Sequence, residues 1–164
     1  MSFEIRSLSD VLGVEVLGLD LSLPLSDEDF ERVRRTVDLH SVVVFRDQAR
    51  LGPEMHIAFS RRFGPLEIHI QERFHFRGHP EILIVSNVFE NGEPIGLVDA
   101  GHYWHSDLSY MAEPSLGSLL HAQEIPERGG DTIFVNMHAV YDAIPAPLKA
   151  RIATLQAEHR LRTY

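Results

Sequence analysis

The run Gly101-His102-Tyr103-Trp104-His105-Ser106-Asp107-Leu108-Ser109-Tyr110 constrains this chain more than any other stretch. On extended backbone, side chains two residues apart lie on the same side, so His105 and Asp107 could grip one cation. A neutral nitrogen and an anionic oxygen, in a chain without cysteine, suit a divalent metal of intermediate hardness. A third ligand would complete the 2-His-1-carboxylate set that leaves positions open on non-haem Fe(II). The triplet alone also fits a solvated histidine beside a turn or capping aspartate. Its setting favours the metal: Trp104, the sole tryptophan, precedes the histidine, and Tyr103 and Tyr110 flank the pair. Polar groups in aromatic surroundings need a partner when buried.

At 164 residues the chain can build one real core and is short for two domains, so a single domain over residues 1–164 is expected. The apolar run Val42 to Phe45, which no other exceeds, is far below a bilayer span, and no membrane association is expected. Met1-Ser2-Phe3-Glu4-Ile5-Arg6 shows no basic region followed by an apolar one, which makes the cytoplasm the expected location. Without cysteine there are no disulfides, zinc–thiolate sites or iron–sulfur clusters. Fifteen basic against 24 acidic residues give a net charge of −9, and the sign argues against a nucleic-acid partner.

Phe3, Ile5 and Leu8 suggest a first strand, and Val14-Glu15-Val16-Leu17 alternates as a second. Ser26-Asp27-Glu28-Asp29 opens a helix: the serine caps, and three acids complement the positive helix end. Ser41 to Arg46 is β-branched and reads as a strand buried on both faces. Pro53 starts a second helix with Met55, Phe59 and Phe63 on one stripe, broken at Gly64. Leu66, Ile68 and Ile70 alternate with Glu67, His69 and Gln71, so His69 faces away from the apolar set. Ile82 to Asn87 reads as a buried strand, and Asn91 to Gly101 as a loop able to act as a lid. Leu116 to Ile125 and Thr132 to Val135 read as strands about the tight turn Glu127-Arg128-Gly129-Gly130-Asp131. Met137 to Ile144 and Pro147 to Leu155 read as short helices, and the chain ends at Tyr164 just after what looks like the start of a strand.

The order strand, helix, strand, helix and then a β-rich half, with Val44-Phe45-Arg46-Asp47-Gln48, Arg62-Phe63-Gly64-Pro65-Leu66, Trp104-His105-Ser106-Asp107, Gly129-Gly130-Asp131-Thr132 and Asn136-Met137 in sequence, resembles the taurine dioxygenase (TauD/TfdA) family of Fe(II)- and 2-oxoglutarate-dependent dioxygenases. The similarity runs nearly end to end. It implies an α+β fold, a double-stranded β-helix (jelly roll, clavaminate synthase-like) with flanking helices. It implies His105 and Asp107 as two iron ligands and Thr132 as the hydroxyl that contacts the 2-oxoglutarate carboxylate. His69 matches a histidine that touches the sulfonate substrate in the taurine enzyme. Gly101 stands where that enzyme has an asparagine, which argues against taurine itself. Tyr103, Trp104 and Phe134 would shield the oxidant, with Gly101 and Phe134 on the substrate side. The implied reaction hydroxylates a small anionic organic substrate, alkylsulfonate-like or aryloxyalkanoate-like, with O2 and release of succinate and CO2. A homo-oligomer is compatible with it.

Family members are much longer, and their second half supplies a distal His and an Arg that pairs with 2-oxoglutarate. Here His121, His138 and His159 follow Asp107, none in the distal context. The chain thus looks like the amino-terminal portion of such an enzyme, with a roll incomplete at the C-terminus whose edges would be open. Two alternatives stand beside the oxygenase: a catalytically incompetent fragment, and a His/Asp hydrolase whose third ligand is His102 or His121.

Overall fold

The structure, a computed structural model, describes residues 3–98 and 100–160. In chain order its elements are β1 (Glu4–Ser7), β2 (Val14–Leu17), α1 (Asp27–His40), β3 (Val43–Phe45), α2 (Pro53–Arg61), a 3-10 turn (Glu72–Phe74), β4 (His75–Phe76), β5 (His79–Leu83), β6 (Phe89–Glu90), β7 (Glu93–Pro94), α3 (Met137–Ala143) and α4 (Ala146–Ile152). They fall into two compact units, residues 1–51 with 121–157 and residues 52–120 with 158–164.

The first unit is built on a three-stranded sheet of order β1-β2-β3. β1 runs antiparallel to β2, with Ile5 opposite Val16, and β3 runs parallel to it, with Val14 opposite Val43 and Val16 opposite Phe45. β2 is central, so Val14 and Val16 are almost fully buried, together with Phe3, Leu19 and Leu21 and with Phe30 and Val33 from α1. α1 begins where the sequence predicts: Ser26 is the N-cap and its hydroxyl accepts the Asp29 amide at 3.1 Å. Arg32 reaches back to donate to the Phe3 carbonyl at 2.9 Å and lies over the Phe3 ring.

The expected alternation of β2 is not a buried and a solvated face. Glu15 is as buried as its valine neighbours, at 3% exposure, because Arg6 of β1 and Arg46, just after β3, close over its carboxylate. Arg46 Nε donates to Oε2 at 2.8 Å, Arg6 to Oε1. These bonds, Arg46 first, hold the Glu15 carboxyl below the usual glutamate range. After β3, Asp47 takes a left-handed φ of 59° and Gln48 stitches the turn, donating to the Leu19 carbonyl and accepting the Leu21 amide at 2.8 Å. Later in this unit, Asn136 caps α3 through the Ala139 amide and donates to the Val11 carbonyl at 2.8 Å.

The second unit starts with α2, whose Pro53 occupies the first turn. Its buried side is Ile57, Phe59 and Ser60 rather than the expected Met55-Phe59-Phe63 stripe, with Phe59 and Phe63 packed edge to face. Arg61 pairs with Glu81 of β5 at 2.6 Å. Of the Asn91–Gly101 segment expected to be a loop, the first four residues form the turn and second strand of a small hairpin. Asn91 and Gly92 both have positive φ, 50° and 84°, which is the turn that matches the twist of paired strands, and β6 and β7 flank it. The chain then returns beside Ile84: the Leu97 amide donates to the Ile84 carbonyl at 2.8 Å and the Ser86 amide to the Leu97 carbonyl at 3.2 Å.

Several expected strands are absent among the described residues. Leu116–Ile125 and Thr132–Val135 hold no strand, the alternating residues 64–70 form none either, and the buried strand expected over Ile82–Asn87 shrinks to the end of β5 and a single bridge from Val85 to Leu97. Much of their apolar surface is exposed, Ile70 at 67%, Leu116 at 85% and Ile133 at 71%, while Leu66 and Ile82 to Ile84 are half-buried. An alternating pattern makes a strand only where a neighbour supplies the ladder, and these segments have no such neighbour in the described structure. The strand suggested at the chain end lies outside the described residues. No helix among them is long and apolar enough to cross a membrane.

Candidate metal centre

His105 and Asp107 converge although neither lies in a strand. The loop carrying them enters through Gly101, with φ of 80°, and leaves through Leu108, a bulky residue at φ of 52°. The Met111 amide closes the turn onto the Leu108 carbonyl at 2.9 Å. A left-handed bulky residue costs about 1–3 kcal/mol and persists only where its surroundings impose it. The turn, rather than a pleat, brings the two side chains together.

His105 Nδ1 lies 2.7 Å from the Tyr103 carbonyl oxygen. A carbonyl only accepts, so Nδ1 carries the proton and donates it, leaving Nε2 to face Asp107 Oδ1 at 3.1 Å. A cation between them would receive a lone pair from each atom. The spacing fits a cation: two donors each about 2.1 Å from an octahedral ion, in adjacent positions, lie ~3 Å apart. The Nδ1 bond to a backbone carbonyl is the outer partner that fixes the tautomer of a metal-binding histidine. Asp107 Oδ2 accepts the Ser118 hydroxyl at 2.5 Å. Tyr103 stands beside the imidazole, ring centroids 5.6 Å apart. Both site side chains are exposed, His105 at 39% and Asp107 at 53%, and Tyr103 and Trp104 are more so, at 77% and 68%, so the aromatic setting expected from the sequence does not bury the pair.

Gly101 belongs to this group for a steric reason. A Cβ there would stand 3.3 Å from His105 Cε1, so any side chain would press on the ring and strain the left-handed backbone. His69 is engaged elsewhere. It is half-buried, its Nδ1 accepts the Gln71 amide at 3.2 Å and its carbonyl oxygen is 2.7 Å from His75 Nε2. Lying opposite the Leu66, Ile68 and Ile70 set does not put it on the solvated side: His69 is half-buried while Ile68 and Ile70 are exposed. Thr132 and Phe134 belong to the first unit, exposed, between the left-handed Gly129-Gly130 turn and the Asn136 cap. Among the described residues no cluster of three His, Asp or Glu side chains could hold a metal. Ser118 escaped the sequence reading because nothing periodic links positions 107 and 118.

The sequence matches the model of the taurine catabolism dioxygenase TauD, TfdA family over residues 4–164. The chain belongs to this family. It is 34% identical over 160 residues to the (S)-phenoxypropionate/alpha-ketoglutarate-dioxygenase of Sphingobium herbicidovorans, covering 98% of this chain and 54% of that one. It superposes on the crystal structure of a taurine dioxygenase from Burkholderia xenovorans with a TM-score of 0.76 and 30% identity, over 94% of this chain and 52% of the other. The crystal structure of AAD-2 in complex with Mn(II) and N-oxalylglycine gives 0.74 and 32%, over 93% and 54%. The chain thus spans about half the length of the curated relatives it matches.

Proposed function

We propose that this TauD/TfdA chain forms the metal-binding portion of an Fe(II)- and 2-oxoglutarate-dependent dioxygenase, which hydroxylates a small anionic organic substrate and releases succinate and CO2. The observation that carries the reading is the convergence of His105 Nε2 and Asp107 Oδ1 at 3.1 Å on a member of that family. Bound Fe(II) would supply O2 activation coupled to decarboxylation of 2-oxoglutarate. His105 and Asp107 would hold the metal on one face, the imidazole held with its proton on Nδ1 by the Tyr103 carbonyl so that Nε2 offers its lone pair. Thr132 would donate its hydroxyl to the 2-oxoglutarate carboxylate. His69 would meet the substrate anion, and Phe134, Tyr103 and Trp104 would exclude water. Gly101 stands where the taurine enzyme has an asparagine, which argues against taurine itself and leaves other small acids, such as an aryloxyalkanoate. In this reading the chain is part of one dioxygenase domain of jelly-roll fold, in a cytoplasmic protein.

The family's third ligand and 2-oxoglutarate-binding arginine would come from the length that the relatives have and this chain does not span. A second reading, that the 164-residue polypeptide is catalytically incompetent by itself, is favoured by the lack of a three-residue cluster among the described residues. Both are tested by measuring succinate formed from 2-oxoglutarate with Fe(II), O2 and a panel of phenoxyalkanoic and alkylsulfonic acids. The assay is run on this polypeptide and on a version extended to the relatives' length. Turnover by the extended form alone supports both readings together; no turnover by either form with any acid contradicts the first.

A further inference from the structure

We propose that Ser118 is the positioning residue for Asp107: its hydroxyl holds one carboxylate oxygen, so that the other is presented singly to the cation shared with His105. The two oxygens already have different partners. Oδ2 takes the Ser118 hydroxyl at 2.5 Å, and Oδ1 faces His105 Nε2 at 3.1 Å. The contact is not a by-product of regular structure, since neither residue lies in a helix or strand and Pro114 lies between them. An ionised carboxylate can only accept, so the serine must donate, and hydroxyl-to-carboxylate bonds are among the short, strong ones. The Asp107 side chain is 53% exposed, and without this tether it is free to rotate, turn to water or close both oxygens on the metal. Single-oxygen binding keeps an additional coordination position free for exchangeable ligands. The proposal rests on the metal-binding reading above and names a residue through which that site is tuned.

The test is Co(II) binding by the full chain, followed by titration and by the visible absorption of the bound ion, for wild type, Ser118→Ala, Ser118→Thr and Asp107→Ala. Loss of an outer-shell partner typically weakens metal binding about 10–100-fold, and that loss is expected for Ser118→Ala, with an altered Co(II) spectrum. Ser118→Thr, which keeps the hydroxyl, should restore wild-type affinity and spectrum. Metal-free urea midpoints should agree between the Ala and Thr variants, which separates positioning from folding. Wild-type affinity and spectrum in Ser118→Ala would overturn the proposal while leaving the metal assignment intact. Equal binding by wild type and Asp107→Ala would overturn the assignment itself, and this proposal with it.

Discussion

Gly96→Ala tests the segment that leads into the metal loop, and its sign is not the usual one. Gly96 does not have a left-handed φ, and at such positions replacement by alanine ordinarily stabilises by about 0.4–1 kcal/mol, through the entropy of the unfolded chain. Here a Cβ would stand 2.7 Å from Ile84 Cγ2, 2.8 Å from the Ile84 carbonyl oxygen and 2.9 Å from the Ser86 nitrogen. Two of the three obstacles are backbone, so no side-chain rotation relieves them. The strands must part, and the bonds from Leu97 to Ile84 at 2.8 Å and from Ser86 to Leu97 at 3.2 Å lie in the same place. Forced overpacking costs about 1–3 kcal/mol, and weakening two partly exposed backbone bonds adds roughly 1 kcal/mol. The net expectation is a loss of about 1–3.5 kcal/mol once the entropy gain is subtracted. Gly117 is the control, because a Cβ there meets nothing within 4 Å; Gly117→Ala should be neutral or slightly stabilising. Urea unfolding of both variants at neutral pH decides it, and a Gly96→Ala protein as stable as wild type would refute the close approach on which the reasoning stands.

Other expectations follow from the first unit. Ser26→Ala should lower stability by about 1 kcal/mol by freeing the Asp29 amide from its cap, read as a shift in urea midpoint, while Ser26→Asn should recover most of it. Glu15, held ionised by Arg46 and Arg6, gives stability that is fully present above its unfolded value of about 4.5 and is lost as pH falls through its lower folded value. Unfolding free energy followed from pH 7 into acid should therefore start to fall near pH 4.5 and keep falling below it. Glu15→Gln should flatten that limb; an unchanged limb would contradict the arrangement.

What could be read from the sequence divides by how local the cause is. α1, with Ser26 and its acidic first turn, and α2, with Pro53, are fixed by neighbours a few residues away, and both begin where expected. β2 was legible in position but not in kind: a glutamate in an alternating strand looks solvated until Arg6 and Arg46 arrive from β1 and from just after β3. The Leu116–Ile125 and Thr132–Val135 segments have strand-like patterns, yet a ladder is a property of two segments and the second cannot be read from the first. At the site, a two-residue spacing pointed to the convergence of His105 and Asp107, although a left-handed turn achieves it rather than a pleat. The Tyr103 carbonyl and the Ser118 hydroxyl carry no sequence signal, since one is backbone and the other is distant in sequence.

The account turns on whether one cation is shared by two side chains. Anomalous diffraction from crystals of the protein soaked in Mn(II) measures this directly. A single anomalous peak about 2.0–2.3 Å from both His105 Nε2 and one oxygen of Asp107 is the predicted result. A peak bound to only one of them, or Mn(II) held elsewhere while these two side chains stay paired to each other, would contradict it.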